Sequence, residues 1–143
     1  MTVAAILADK GHDTVTASES DTIAAVCRRL AEYKIGAVVI AGADGALSGI
    51  LSERDIVRAC AAHGAEALHS TAGQLMTRAV VTVTPDDTIA TVMERMTAGR
   101  FRHLPVIKDG KLAGVISIGD VVKHRIAQAE QEAAEMRTYI ASA

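Results

Sequence analysis

Two tetrapeptides carry the residue types best placed for chemistry, Ser52-Glu53-Arg54-Asp55 and Ser117-Ile118-Gly119-Asp120. In each, a hydroxyl stands three residues ahead of a carboxylate, where a short apolar run gives way to a helical pattern. Two chemistries fit that spacing. As a capping box, the hydroxyl accepts from an orphan amide of the first helical turn while the carboxylate accepts from the backbone behind it. As a ligand site, the same first amides and the helix dipole hold an anion, with the serine hydroxyl as a further donor. A carboxylate one turn inside then suits the two donors of a vicinal diol such as a ribose. Phosphate at the helix start and ribose one turn along describe a nucleotide. Both readings stay open at this point.

Other chemistries find less support. His12, His63, His69, His103 and His124 are dispersed and share no ligand spacing with a Cys or carboxylate cluster, so no metal is expected. The chain has neither a Gly-x-Ser-x-Gly nucleophile turn nor a Gly-x-x-x-x-Gly-Lys phosphate loop. Nothing pairs Ser52 or Ser117 with His103 as nucleophile and base, so the chain reads as non-catalytic, with no catalytic cofactor. Cys27 and Cys60 are the only cysteines, which excludes a disulfide framework, and both sit among apolar neighbours as expected of buried thiols. Fifteen Lys+Arg against 17 Asp+Glu give a net charge of −2, with no basic cluster to neutralise nucleic-acid phosphates. Phe101, Tyr33 and Tyr139 are the only aromatic residues, too few and too scattered for a stacking platform. No apolar run reaches the ~18 residues of a membrane span, and Met1–Ile6 lacks the pattern of a signal peptide. The expected compartment is the cytoplasm.

The elements that position the two tetrapeptides follow from an internal repeat. VTASESDTIAAVCRR at 15–29 matches VTVTPDDTIATVMER at 81–95 with an offset of 66. Asp44–Val57 matches Asp109–Val122 with an offset of 65, so the first copy carries one extra residue at its Ala41–Asp44 turn. Each copy has a short strand (Val15–Ala17, Val81–Thr84) and then a helix with one apolar stripe: Ile23, Val26, Cys27 and Leu30, or Ile89, Val92, Met93 and Met96. Two apolar runs joined through Asp-Gly read as a hairpin, Ala37–Ala41 with Leu47–Leu51 and Leu104–Ile107 with Leu112–Ile116. Helices follow Ser52 and Ser117, Thr2–Ala8 and Thr71–Met76 read as short leading helices, and His63–Thr71 joins the copies. The fold class is α/β (α+β): two β-α-β-β-α units, each too small to cover its own sheet, packed through their sheets with pseudo-two-fold symmetry.

The repeat, the Asp-Gly hairpin and the Gly-x-x-Ser-x-x-Asp junction resemble a tandem pair of cystathionine-β-synthase (CBS) domains, a Bateman module. The most specific pieces are GILSERDIV at 49–57, GVISIGDVV at 114–122 and RFRHLPV at 100–106. The resemblance implies domains at 1–66 and 71–128, followed by a helical extension at 129–143. It implies a regulatory module that binds adenine nucleotides between the domains: AMP first, then ADP and ATP, with NAD or S-adenosylmethionine as further candidates. By the same resemblance Asp55 and Asp120 hold ribose hydroxyls, and Ser52 and Ser117 touch phosphate or ribose. Arg102, His103 and Pro105 face phosphate, while Val38, Leu104, Thr16 and Thr82 are candidates for holding the base.

The copies differ where it matters for phosphate. Gly36-Ala37-Val38-Val39 stands where the second copy has Arg102-His103-Leu104-Pro105, and Arg54 stands where it has Gly119. Both clefts are therefore expected to admit an adenosine moiety with different phosphate preferences. With so few rings available, a base is expected to lie against aliphatic side chains and backbone. Beyond Val121 the helix continues with Ile126, Ala129, Ala133, Met136 and Ile140 on roughly one face. That face covers either its own domain or a partner chain. A homodimer and an effector protein of unknown identity are the expected partners, with no nucleic acid and no membrane. The alternative function is a ligand-free interaction or dimerisation module in which both Ser-x-x-Asp pairs are caps only.

Overall fold

The computed structural model describes residues 1–142. Helix α1 (Val3–Lys10) leads into the first repeat, which runs β1 (Thr16–Ala17), α2 (Ile23–Tyr33), β2 (Ala37–Ala41), β3 (Leu47–Ser52) and α3 (Glu53–His63). A 3₁₀ turn at Gly64–His69 and helix α4 (Ala72–Leu75) lead into the second repeat of α5 (Ile89–Gly99), β4 (His103–Lys108), β5 (Lys111–Ser117) and α6 (Ile118–Ser142). This is the mixed α/β architecture of two like units that the repeat predicts.

Local chemistry sets the boundaries. Thr22 caps α2 by accepting from the Ala25 amide at 3.2 Å, and Thr88 caps α5 by accepting from the Thr91 amide at 3.1 Å. Both helices end on a residue in the left-handed region, Lys34 at φ 54° and Arg100 at φ 55°. The hairpin between β4 and β5 turns through Asp109 and Gly110, both at positive φ, as a two-residue turn matched to strand twist requires.

The sheets differ at one strand. β1 pairs parallel to β2 through Thr16–Val39 and Ala17–Ile40, whereas the Val81–Thr84 strand expected of the second repeat shrinks to one bridge, Val83 to Val106. Pro105 explains the loss. The Val83 amide donates to Pro105 O at 3.0 Å and the Ile107 amide to Val83 O at 2.8 Å. The next bond of a parallel ladder would need an N–H from residue 105, and proline has none.

Each leading helix packs on the opposite repeat. Ile23, Val26, Leu30, Val38, Ile40, Leu51 and Ile56 form the first core together with Ala72 and Met76 from the approach to repeat two. Ile89, Val92, Met96, Leu104, Val106, Ile116 and Val121 form the second, completed by Val3, Ile6 and Leu7 of α1. Main-chain bonds lock the exchange: Val3 donates to Asp87 O and Ala4 to Pro85 O, both at 2.9 Å, while Ala72 donates to Asp21 O at 2.8 Å. Alternation along β2 and β4 leaves Val39 and Pro105 on the faces turned away from these cores, where both are nevertheless buried. Those are the faces through which the repeats pack.

Gly49 and Gly114 are where the leading segments press closest. A Cβ at Gly49 would lie 2.7 Å from both Met76 Sδ and the Thr77 carbonyl oxygen, and one at Gly114 would lie 2.7 Å from Leu7 Cδ2. The Thr77 carbonyl accepts from the Ile50 amide at 3.1 Å and cannot retreat without losing that bond. Gly49→Ala is therefore expected to destabilise the protein by about 1–3 kcal/mol, the usual cost of overpacking. A fall in the urea midpoint with an unchanged slope checks it. Gly114→Ala meets only a side-chain end and is expected to cost less.

Candidate functional site

The first Ser-x-x-Asp pair is built as a closed cap. Asp55 Oδ2 accepts from the Ser52 amide at 2.9 Å and from Ser52 Oγ at 3.0 Å, while the Asp55 amide donates to Ser52 Oγ at 3.3 Å. The helix-capping chemistry read from the sequence is thus present. It does not use up the carboxylate, because both bonds to the carboxylate end on Oδ2 and Oδ1 takes no part.

A cavity of about 540 Å³ opens in front of this cap, and both repeats build it. From the first come Gly36, Ala37, Ile50, Ser52, Arg54, Asp55 and Arg58; from the second repeat and its approach come Thr77, Ala79, Val80, Val81 and Arg100–His103. The left-handed turn at Arg100 ends α5 and redirects the chain so that Arg100, Phe101, Arg102 and His103 line the opening. The Arg-His segment of repeat two therefore serves the Ser-x-x-Asp pair of repeat one, a crossing that comparison of the copies in sequence cannot reveal.

Charge in the cavity favours an anion. Arg54, Arg58, Arg100 and Arg102 outnumber Glu53 and Asp55, and the positive end of the α3 dipole adds to them, while the Glu53 amide is already taken by Gly36 O at 2.9 Å and the Asp55 amide by Ser52 Oγ. Arg102 Nη2 stands 3.9 Å from Glu53 Oε1, a loose and exposed pair that leaves the guanidinium available. His103 is partly buried at the rim, with Cε1 3.5 Å from where a Gly36 Cβ would stand. Burial, then the Arg102 charge, push the His103 imidazole below its ordinary value. His103 is accordingly a neutral hydrogen-bonding group at pH 7. Ile50, Val80, Val81 and Phe101 supply the apolar wall. The Phe101 ring folds over Gly99, where a Cβ would overlap it, and also packs on the second core. One of the few aromatic rings therefore stands at the site after all, against the expectation of a purely aliphatic wall.

The second Ser-x-x-Asp pair has the same cap and a different occupant. Asp120 Oδ2 accepts from the Ser117 amide at 2.8 Å and from Ser117 Oγ at 3.0 Å. It also accepts from Lys10 Nζ at 2.7 Å, and the same ammonium donates to Val115 O at 2.9 Å. Burial alone would raise the Asp120 carboxyl, but hydrogen bonds from Lys10 and Ser117 and the Lys10 charge outweigh it and hold the group below the usual carboxylate range. Counting from the helix caps Thr2 and Thr71, Leu7 corresponds to Met76, and both press on the glycine of their respective motif. The same count sets Lys10 against Ala79, which lines the open cavity. One lysine thus distinguishes the two clefts, and only that count from the caps, not the main repeat, signals it.

The Asp120 pKa has a consequence for acid stability. With a folded value below the unfolded one (~3.9 for Asp), the pair's contribution is full above the unfolded value and is lost as pH falls through the folded value. Lys10→Met is expected to lower the urea midpoint at pH 6, and the gap from wild type is expected to close as pH falls below the usual carboxylate range.

Of the remaining candidates, Val38 and Leu104 are buried in the two cores and Pro105 lies in the seam between sheets. Thr16 and Thr82 stand on the β1 segment and its counterpart, where their carbonyls accept from Arg29 and Arg95, each at 2.8 Å. Those arginines also pair with Asp21 at 3.3 Å and Asp87 at 3.2 Å, which accounts for the Asp and Arg positions the copies share. The structure therefore brings Ser52, Arg54, Asp55, Arg102 and His103 together at one cavity and places Ser117 and Asp120 at another site. Arg58, whose place near the helix start in the sequence already suits it to neutralise phosphate, lines the first cavity, and Arg100, Glu53 and Lys10 join these sites without a signal in the motifs. Cys27 and Cys60 are half-buried against the first core, and burial followed by the neighbouring Cys60 raises the Cys27 thiol.

The CBS domain family model matches the chain twice, at residues 7–62 and 72–127. The chain belongs to the CBS domain family. It is a CBS domain pair, a regulatory module of a family that is generally non-catalytic. Among curated relatives, the mitochondrial CBS domain-containing protein CBSX3 of Arabidopsis thaliana is 31% identical over 97% of this chain and 71% of its own length. The chain spans only 24% of another relative from the same plant, the CBS domain-containing protein CBSCBSPB2. The solved CBS-domain containing protein ATU1752 from Agrobacterium tumefaciens superposes with a TM-score of 0.85 at 46% identity, covering 87% of this chain and 99% of that one. The CBS domain pair of protein MJ0100, solved with 5-methylthioadenosine and S-adenosyl-L-methionine, shares the fold at a TM-score of 0.80 and 24% identity, over 90% of this chain and 98% of that one. No helix among the described residues is long and apolar enough to cross a membrane.

Proposed function

We propose that this CBS pair is a sensor that binds one adenine nucleotide per chain, AMP first among them, in the cavity built on Ser52 and Asp55. The observation that carries the reading is the meeting of a helix N-terminus, a carboxylate with a free oxygen and four arginines from both repeats in one 540 Å³ cavity. Asp55 Oδ1 accepts from the ribose diol. Phosphate lies between the positive end of the α3 dipole and the Arg54, Arg100 and Arg102 guanidinium groups, with His103 as a further partner. The base rests against Ile50, Val80 and Val81, beside Phe101. The related fold of MJ0100, which holds adenosine-derived ligands, supports the ligand class.

Because the cavity draws on both repeats, a ligand that fits one relative arrangement of them better than another shifts that equilibrium, and an effector protein reads the shift. Calorimetry and thermal shifts with AMP, ADP, ATP, NAD and S-adenosylmethionine test the proposal. Saturation at a hundred times Kd adds about 2.7 kcal/mol, a rise of roughly 5–15 °C for a chain of this size. No shift with any of the five would assign both Ser-x-x-Asp pairs to capping alone and leave a ligand-free interaction module.

A further inference from the structure

From Arg125 to Ser142 every residue of α6 is exposed, so nothing among the described residues covers the last two-thirds of a helix that is 25 residues and about 37 Å long. An uncovered helix of that length is marginal in water, yet this one carries a regular apolar seam. Val122, Ile126, Ala129, Ala133, Met136 and Ile140 follow one another at steps of 4, 3, 4, 3 and 4. That alternation is the 3.5-residue period of a two-stranded coiled coil, with Ile126, Ala133 and Ile140 at a and Val122, Ala129 and Met136 at d. Its lower end runs into an apolar groove of about 340 Å³ between α5 and α6, where Val122, Ile126 and Ala129 meet Met93.

The flanking charges select the partner. Positions g are Arg125, Glu132 and Tyr139, and positions e are Lys123, Glu130 and Arg137, of which Arg125, Glu130, Glu132 and Arg137 fall into g-to-e pairs. Arg125 with Glu130, and Glu132 with Arg137, are five residues apart, a spacing that does not bring side chains together along one helix. No ion pair involving any of the four forms within the described chain. Five is, however, the g-to-e′ spacing across a parallel pair of identical helices, and there both contacts join opposite signs. We infer that α6 pairs with α6 of a second copy as a parallel coiled coil, seating two CBS pairs side by side at one end.

Charge swaps in the full chain test the register as well as the oligomer. Arg125→Glu alone and Glu130→Arg alone place like charges at both symmetry-related contacts and are expected to weaken the dimer roughly tenfold. Mixed in equal amounts, the two variants regain complementary contacts, so native mass spectrometry is expected to find heterodimers well above the half given by random exchange. Unchanged melting of each variant in its monomeric form confirms that the two repeats stay folded. A monomeric wild type at micromolar concentration, a random 1:2:1 mixture, or variants that dimerise as well as wild type would each overturn the inference.

Discussion

Asp55→Ala is expected to weaken nucleotide binding by one to two orders of magnitude, while Asp120→Ala leaves affinity and stoichiometry unchanged. The size follows from removing a charged acceptor of two ribose donors, since a hydrogen bond to an ionised group contributes about 1.5–3 kcal/mol. Both substitutions also open a capping box, which costs about 0.5–2 kcal/mol of stability, so a fall in stability alone would not separate them. Asp55→Asn supplies the control. Its amide oxygen still accepts from the Ser52 amide and keeps the cap, but the charge that strengthens the diol contact is gone. Affinity is expected to drop about tenfold with the melting temperature of the free protein nearly preserved. Calorimetric Kd values for the three variants decide the matter. Equal affinities for wild type and Asp55→Ala would remove Asp55 from the site, even if a nucleotide still binds.

The first repeat was legible from sequence almost in full, because each local signal agreed with the next: Thr22 before an apolar stripe, an Asp-Gly turn between two apolar runs, Ser52 before Glu53. The second failed at one strand. The alternation at Val81–Thr84 is sound, but its partner position is filled by Pro105, and whether a proline faces the ladder is a property of the pairing rather than of either segment. Site residues divided in the same way. Ser52 and Asp55 belong to a single helix start, so spacing alone locates them. Val38 and Leu104 fell into the cores because a strand alternates faces and the sequence does not say which face meets the other repeat. The crossing of Arg100–His103 to the first repeat's cap depends on how two like units pack, as does the packing of α1 on the second core. Neither leaves a trace in local pattern.

Lys10→Ala is expected to raise the binding stoichiometry from one to two adenosine-type ligands per chain. In the folded protein the Lys10 ammonium holds Asp120 Oδ2 at 2.7 Å and the Val115 carbonyl at 2.9 Å, so a ribose reaching Asp120 Oδ1, the oxygen the cap leaves unused as at Asp55, must fit beside an anchored charged side chain. At the first cap the corresponding residue by count from Thr71 is Ala79, which puts no charge there and lines the open cavity. Truncating Lys10 therefore gives the second cleft the side chain of the first and removes the charged group that stands beside the Asp120 carboxylate. The new site keeps two of the four cations of the first: Gly119 stands where the first motif has Arg54, and Gly36 and Ala37 stand where the second repeat has Arg102 and His103, whereas Lys123 and Lys34 stand where the first site has Arg58 and Arg100. It is therefore expected to favour AMP over 5-methylthioadenosine by less than the first site does, and its affinity is expected to change less with salt. The first site, built on phosphate contacts, is expected to weaken as salt rises. Calorimetry on Lys10→Ala with both ligands, at low and at physiological salt, checks each part. One site per chain in the variant, or two equal sites in the wild type, would show that Lys10 does not close the second cleft. The double variant Lys10→Ala/Asp120→Ala is expected to return to a single site, which ties the gained binding to the Asp120 carboxylate rather than to a general loosening of α1.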